Sequence, residues 1–412
     1  MAPLRSIVLQ SSVRWHFSFL FSESSNKLKP LMKHTQIRLA TCALTAGVLC
    51  APSAFGFAEL ARGTLTATAN LSGAYDTNIY SNSGEEDDYT ASFNPGLSYL
   101  RKAGSIESSI KTGVKAFSFT DAKGQDSIDP YVNGTFTLDR AEKGQASVSL
   151  DYARTTGANE LLLARVESDE YRGSGRVNYF YSEKTGVRLN TNYRLSQFNT
   201  PGYNDVSSYG LGGGLVHRYS PKLVASATYD FSPEKATNRP EKATSNPSSQ
   251  NHRFQFGLEG DLTPKLTGST SLGYAYRAFD NGGADDTMLL GVNLDWNPIQ
   301  KSTFSLSASN DFNTTAGAES VRAFDVRLSF RQGLSEALTA SAFVGYENSD
   351  ITQQPSTFDR ADEAYNVGLS LSYGINKQWS AGTGLTHRMN QSNLGTAEYQ
   401  RTILSLSLDL SF

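Results

Sequence analysis

Three histidines, His217, His252 and His387, stand out among the residues suited to nucleophilic, acid–base or metal chemistry. Each would need a serine, carboxylate or second ligand within reach to act. Counted against the hairpin pattern described below, His217 falls near a short turn and the other two near a rim of longer loops. No serine or carboxylate group converges on them, so a barrel hydrolase is the minor reading. The acidic run Glu85-Glu86-Asp87-Asp88 lacks the alternate ligand spacing and central glycine of a calcium loop, and reads as a solvated loop tip. Gly210-Leu211-Gly212-Gly213-Gly214 has neither a following Lys-Ser/Thr nor a helix, so it is no phosphate cradle. Glycine inside a strand suits a bend or a close approach instead. The sequence therefore assigns no catalytic, cofactor or metal residues, and a role other than an enzyme's is expected.

The charged residues carry a different chemistry. Lys111, Lys115, Arg172, Arg176, Arg188, Arg194, Arg253, Arg327 and Arg401 each alternate with apolar neighbours, as do Glu107, Asp151, Glu259, Asp295, Asp325 and Asp409. If the apolar sides meet lipid, these charges share an inner, wet surface. The turn near residues 182–185 folds Arg172 and Arg176 opposite the strand carrying Arg188 and Arg194. Together with Lys111 and Lys115 they form a candidate basic ladder on one wall. Such a wall favours anions by focusing its field in a low-dielectric channel. The plainer reading is that the arginines pair with inner acids and keep the wall hydrated.

Strands must position these residues. Val187, Leu189, Tyr193 and Leu195 oppose Arg188, Asn190, Asn192 and Arg194; Leu404, Leu406, Leu408, Leu410 and Phe412 oppose Arg401, Ser405, Ser407, Asp409 and Ser411. Period-two alternation over this length puts one face in oil and the other in water. Short, similar turns such as Arg101-Lys102-Ala103-Gly104 and Ala141-Glu142-Lys143-Gly144 are followed by strands starting near residues 105, 145, 186, 223, 266, 302, 338 and 378. The spacing, about 39 residues, marks repeated two-stranded units. Longer polar connections lie between them, among them Asp76–Asp88, Thr156–Asp169 and Ser232–Ser249. This asymmetry is that of outer-membrane barrels, with short turns periplasmic and long loops extracellular. The expectation is an all-β, transmembrane, antiparallel up-and-down β-barrel of about eighteen strands (roughly 16–18), with both ends of its wall on the short-turn side. Aromatics near strand ends (Tyr75, Tyr99, Tyr152, Tyr181, Tyr219, Trp296, Trp379) mark interface girdles.

Composition agrees with a wet interior: 38% of residues are hydrophobic and 19% charged, with a formal net charge of −3. Both fractions are low for a soluble globular chain, while the aromatics are too many for disorder. No apolar run is long enough to span a membrane as a helix. Residues 32–58 read as a signal peptide, with Lys33 and Arg38 ahead of the apolar stretch Leu39 to Leu49 and a small-residue exit ending at Ala58. Residues 1–31 read as the product of an upstream start codon, and 59–412 as the barrel. Cys42 and Cys50 both fall in the signal, so the exported portion has no thiol. An export signal without thiols points to the outer membrane of a Gram-negative cell, with lipid and lipopolysaccharide as surroundings and no nucleic-acid partner.

Two segments, Ala74-Tyr75-Asp76-Thr77-Asn78-Ile79-Tyr80 and Asn94-Pro95-Gly96-Leu97-Ser98-Tyr99, resemble the corresponding stretches of the putative β-barrel porin 2 family. That family is similar to outer-membrane barrels linked to exopolysaccharide synthesis. The resemblance implies a porin-like channel for passive diffusion or export of a polar or anionic solute, polysaccharide among the candidates, without cofactor. A surface binding or adhesion barrel acting through its loops is the alternative. The terminal Phe412 is similar to the signal by which barrel-assembly machinery recognises its clients, which makes that machinery an expected partner.

Overall fold

A computed structural model describes residues 58–60, 62–140, 143–237, 248–280, 282–314, 320–352 and 359–412. Apart from Ala58, the expected leader and both cysteines lie outside the described residues. After a three-residue strand β1 (Ala58–Leu60), the wall begins with β2 (Gly63–Asp76), β3 (Asp88–Ala103), β4 (Ile106–Phe119), β5 (Ser127–Arg140) and β6 (Gly144–Asn159). It continues through β7 (Ala164–Phe180), β8 (Thr185–Phe198), β9 (Asp205–Ser220), β10 (Leu223–Thr237), β11 (Ser249–Thr263) and β12 (Leu266–Phe279). The remainder are β13 (Gly283–Trp296), β14 (Ser302–Thr314), β15 (Ser320–Gly333), β16 (Leu338–Thr352), β17 (Asp359–Gly374), β18 (Trp379–Ser392) and β19 (Tyr399–Ser411).

Each wall strand pairs antiparallel with its sequence neighbours, and β19 returns to pair with β2, with Ser411 opposite Thr68 and Ile403 opposite Asp76. The result is a closed, eighteen-stranded antiparallel barrel. Closure satisfies every strand edge, which an open sheet in lipid cannot do. The strands after short turns start at Ile106, Gly144, Thr185, Leu223, Leu266, Ser302, Leu338 and Trp379, each within one residue of expectation. Turn chemistry explains the agreement, since Gly, Pro and Lys-rich pairs end one strand and fix the register of the next.

The large apolar side chains face outward: Leu211 is 69% and Leu406 65% exposed. The core of a soluble protein is turned inside out, leaving small buried clusters such as Val166 with Phe198. Two aromatic levels frame the apolar belt. Tyr75 stacks near Tyr89 at 4.8 Å and Tyr152 near Tyr171 at 5.1 Å at the long-loop end, while Trp296, Phe304 and Phe330 form a chain at 5.3 and 4.6 Å at the other. From Tyr89 to Tyr99 on one strand, ten residues at about 3.3 Å, tilted by roughly 40°, climb about 25 Å, the height of a membrane's apolar band.

Where a side chain must lie flat on the inner wall, glycine makes room. A Cβ on Gly113 would sit 2.6 Å from the Tyr131 hydroxyl, and one on Gly96 3.0 Å from it. The glycine run of β9 does the same for its neighbours: Asn192 lies over Gly210 and the Asp230 carboxylate over Gly212.

Two expectations about loops need correction. Thr156–Asp169 is not a loop: β6 and β7 stay paired as far as Asn159 opposite Ala164, leaving a four-residue tip. Backbone pairing continued past the point where side-chain alternation fades. The acidic run is a solvated tip only in part: Glu85, Glu86 and Asp87 are exposed, but Asp88 is not. Asp88 is 2% exposed and accepts hydrogen bonds from the backbone N–H groups of Thr120, Asp121 and Ala122, while Asp87 accepts one from the Tyr75 hydroxyl. Its carboxylates order the neighbouring loop.

Candidate channel constriction

The paired extension of β6 and β7 determines what the lumen can pass. At its tip, Glu160 and Leu161 meet the far wall, with five to seven strands intervening around the ring. Arg360 of β17 donates from Nη1 to the Leu161 carbonyl at 2.8 Å and from Nη2 to the Glu160 carbonyl at 3.0 Å. Its Nε donates to Asp362, which fixes the guanidinium. Arg388 of β18 forms an ion pair with the Glu160 carboxylate and another, at 2.9 Å, with Glu347. It also donates to the Tyr399 hydroxyl at 3.0 Å. The hairpin thus spans the lumen as a strut, with positive wall groups holding its tip carbonyls and carboxylate. Its flanks are tied down as well: Thr156 donates through Oγ1 and N–H to Asp129 at 2.8 and 3.1 Å, and Arg165 donates to the Gln125 carbonyl at 3.1 Å.

Glu160 is 35% accessible but crowded by Arg388, Tyr399 and Glu347. Desolvation raises its pKa above the ordinary carboxylate range, against the lowering pull of Arg388.

A second element leans in from the opposite side. β14 stops pairing with β13 beyond Asn310 opposite Leu290, while its pairing with β15 runs on to Thr314. The freed end is pinned by two arginines, one buried and one half-buried. Arg277, 1% exposed, donates to the Asn313 carbonyl at 3.2 Å and to Ser320 Oγ at 3.1 Å and stacks on the Phe312 ring. Arg253 pairs with Asp311 at 3.1 Å. Between these two inward elements is a slot of about 270 Å³; on the concave side of β7–β14 lies a larger polar chamber of about 890 Å³, lined by residues such as Arg188, Asn192, Asp230, Gln255 and Asp295.

Of the expected ladder, Arg176 and Arg188 line this chamber and Arg194 lines the slot, while Arg172, Lys111 and Lys115 line neither. Arg172 and Arg194 stand directly in register on β7 and β8, and Arg176 faces Asn190 two same-face steps further on. Arg172 and Arg194 share one carboxylate, Glu170, the latter at 3.6 Å. Arg188 is buried, donates to Asn178 at 2.8 Å and reaches across two intervening strands to Glu259 at 3.2 Å. Such a reach is open only on the concave side of the wall. Lys111 and Lys115, on β4, have no carboxylate within 4 Å among the described residues; Lys115 instead lies over the Tyr131 ring. Arg253 lines the chamber beside Asp311, and Arg401 chelates Asp76 at 2.6 and 3.0 Å. Arg327 stacks 3.5 Å above the Phe343 ring.

The three histidines are on the outer wall, each beside a hydroxyl: His217 near Thr185 at 3.2 Å, His252 near Tyr229 at 2.8 Å, His387 near Thr402 at 2.9 Å. Phe412 ends the seam strand, its N–H donating to the Ala67 carbonyl at 2.9 Å and its carbonyl accepting from the Ala67 N–H at 3.0 Å. The strut residues Glu160, Arg360 and Arg388 were absent from the sequence-based ladder. Their only signal was inward parity on β17 and β18, because a contact across 200 residues leaves no local trace.

Several solved barrels are similar to this chain. The outer-membrane protein OpdK of Pseudomonas aeruginosa aligns at 11% identity over 87% of this chain and 100% of its own, with a TM-score of 0.46. OccK2 (OpdF) of the same organism, solved with glucuronate, aligns at 13% identity over 87% and 98%, with a TM-score of 0.45. The FrpB iron transporter of Neisseria meningitidis aligns at 11% identity over 79% of this chain and 62% of its own, with a TM-score of 0.42; this chain therefore spans less than two thirds of that transporter. A comparison with curated proteins finds no match. Residues 234–412 match the model of the putative beta-barrel porin 2 family, the same family that the segments around Tyr75 and Asn94 resemble.

Proposed function

We propose that the protein is an outer-membrane channel through which a small polar solute, by preference an anion, diffuses under control of the β6–β7 strut. The observation that carries this reading is the polar lumen, with its chamber of about 890 Å³, narrowed from within by an arginine-held hairpin. A hairpin serving surface adhesion would project outward; this one is directed into the lumen. A polysaccharide would have to displace the strut, which a small solute need not do. The anion preference is argued from the wall of β4 to β8, where Lys111, Lys115 and Arg176 lie without a carboxylate within 4 Å among the described residues. Phe412, at the closing seam, is the proposed contact for assembly machinery.

Planar-bilayer recordings of the purified barrel test the reading. Stable conductance steps with a reversal potential favouring anions are expected, and charge reversal at Lys111, Lys115, Arg172 and Arg176 should move that potential toward cations. A folded barrel that never conducts would instead favour the surface-binding alternative.

A further inference from the structure

The slot between the two inward elements has a composition of its own. Arg194 and Glu170 line one side, Phe198 and Val166 form an apolar patch, and Asn159 from the strut and Asn313 from the β14 end close it. Across the inner wall at this depth runs a row in register: Lys111, Asn133, Asp151, Arg172, Arg194. Asp151 accepts from the Asn133 amide at 2.9 Å, and Glu170 is shared between Arg172 and Arg194. Within 4 Å among the described residues, Arg172 and Arg194 have Glu170 as their one shared carboxylate, so two cations face one carboxylate beside the slot. Arg194 is the member of the row that lines it, held, among the described residues, by the 3.6 Å contact to Glu170 alone. A guanidinium so loosely paired has donors to offer a bidentate acceptor. The cavity of about 270 Å³ holds the volume of about nine waters at roughly 30 Å³ each, which is an organic molecule of about ten heavy atoms.

We propose that this slot is a binding site for a small organic monocarboxylate, its carboxylate on Arg194 and its apolar body on Phe198 and Val166. The site rests on the channel reading for its biological use, but its occupancy can be measured without conduction. Arg194 is then a specificity-determining residue, and the asparagine amides of the strut and the β14 end bound the ligand's size.

Benzoate, benzyl alcohol and benzylammonium, alike in shape and different in charge, are the probes. In planar bilayers carrying the full barrel, benzoate should interrupt the current at millimolar concentration, and the other two should not. Arg194→Gln should weaken this block about tenfold or more, the scale of one charged hydrogen-bond pair. Arg194→Lys should retain part of it, and Arg327→Gln, on the far wall, should leave it unchanged. Equal block by all three probes, or a block indifferent to Arg194→Gln, would overturn the proposal. If the protein does not conduct, the channel reading fails, and titration calorimetry of benzoate into the detergent-solubilised barrel decides the site on its own. Binding there that is lost in Arg194→Gln upholds it; no heat from wild type rejects it.

Discussion

Removing Arg360 should release the strut. Its guanidinium donates to two tip carbonyls, at 2.8 and 3.0 Å, from a nearly buried position. Hydrogen bonds from a charged group contribute about 1.5–3 kcal/mol each, so Arg360→Ala withdraws about 3 kcal/mol or more from seating the hairpin. The same substitution leaves the buried Asp362 without its partner, but that cost falls equally on seated and unseated states and does not enter the difference. The remaining Arg388–Glu160 pair is partly open to water and holds about 1 kcal/mol. At about 1.4 kcal/mol per tenfold, the ratio of unseated to seated hairpins rises by about 100-fold. Single-channel recordings in planar bilayers report this as larger conductance steps with added flicker, and Arg360→Lys, which keeps the charge but loses the fork, should fall between. Heat-modifiable mobility on a gel establishes that each variant is a folded barrel. If folded Arg360→Ala shows wild-type step size and noise, the hairpin is not the constriction and the argument from its contacts fails.

Three further outcomes follow from the same geometry. Seated, the Glu160 carboxyl titrates above its ordinary value of about 4.3, so its contribution to seating is full below about pH 4.3 and is lost as pH rises through the raised value. Conductance should therefore climb with pH in that window, and Glu160→Gln should flatten the profile; a slope of the opposite sign in wild type contradicts the desolvation argument. Asp88→Ala strands the backbone donors of Asp121 and Ala122, while the Thr120 N–H keeps the Tyr89 carbonyl; the loop loses about 2 kcal/mol, and limited proteolysis should cut there faster than in wild type. Gly113→Val drives a side chain against the Tyr131 ring and the Pro95 carbonyl; a loss of about 1–3 kcal/mol should lower the temperature at which the folded band disappears on a gel.

The wall was legible because two local signals agreed. Period-two alternation in stretches such as Val187–Leu195 decided which face met lipid, and paired turn residues such as Pro221-Lys222 and Pro264-Lys265 decided where each strand began. Both act over a few residues, which is the range a sequence displays. The constriction was not legible for the complementary reason. Thr155 to Ser168 carries weak alternation, so its pairing comes from the backbone ladder and from wall residues 200 positions away. Arg172 and Arg194 were placeable because a short turn joins their strands. That Glu170 serves both depends on side-chain reach, which the spacing does not encode. Asp88 looked like one of four equivalent surface acids; its burial comes from a loop 32 residues further on folding over it.

The seam sets the order in which the wall can become complete. Asn70 donates to Asp409 at 2.7 Å, and Ala67 exchanges two backbone hydrogen bonds with Phe412, contacts between the first and last strands of the wall. Until β19 is in place, β2 and the strand at the other end of the growing sheet both offer unpaired edges, and an edge of amides has no stable resting place in hydrocarbon. Every truncated barrel shares that defect, whatever its length. The wall consequently has no stable partial form to pause in, and loop closure over nearly the whole chain precedes the bonds that reward it. A single edge-to-edge joining event, β19 onto β2, therefore turns a membrane-incompatible sheet into a membrane-compatible one, so the pairing of two strands at one seam determines whether all the others can stay.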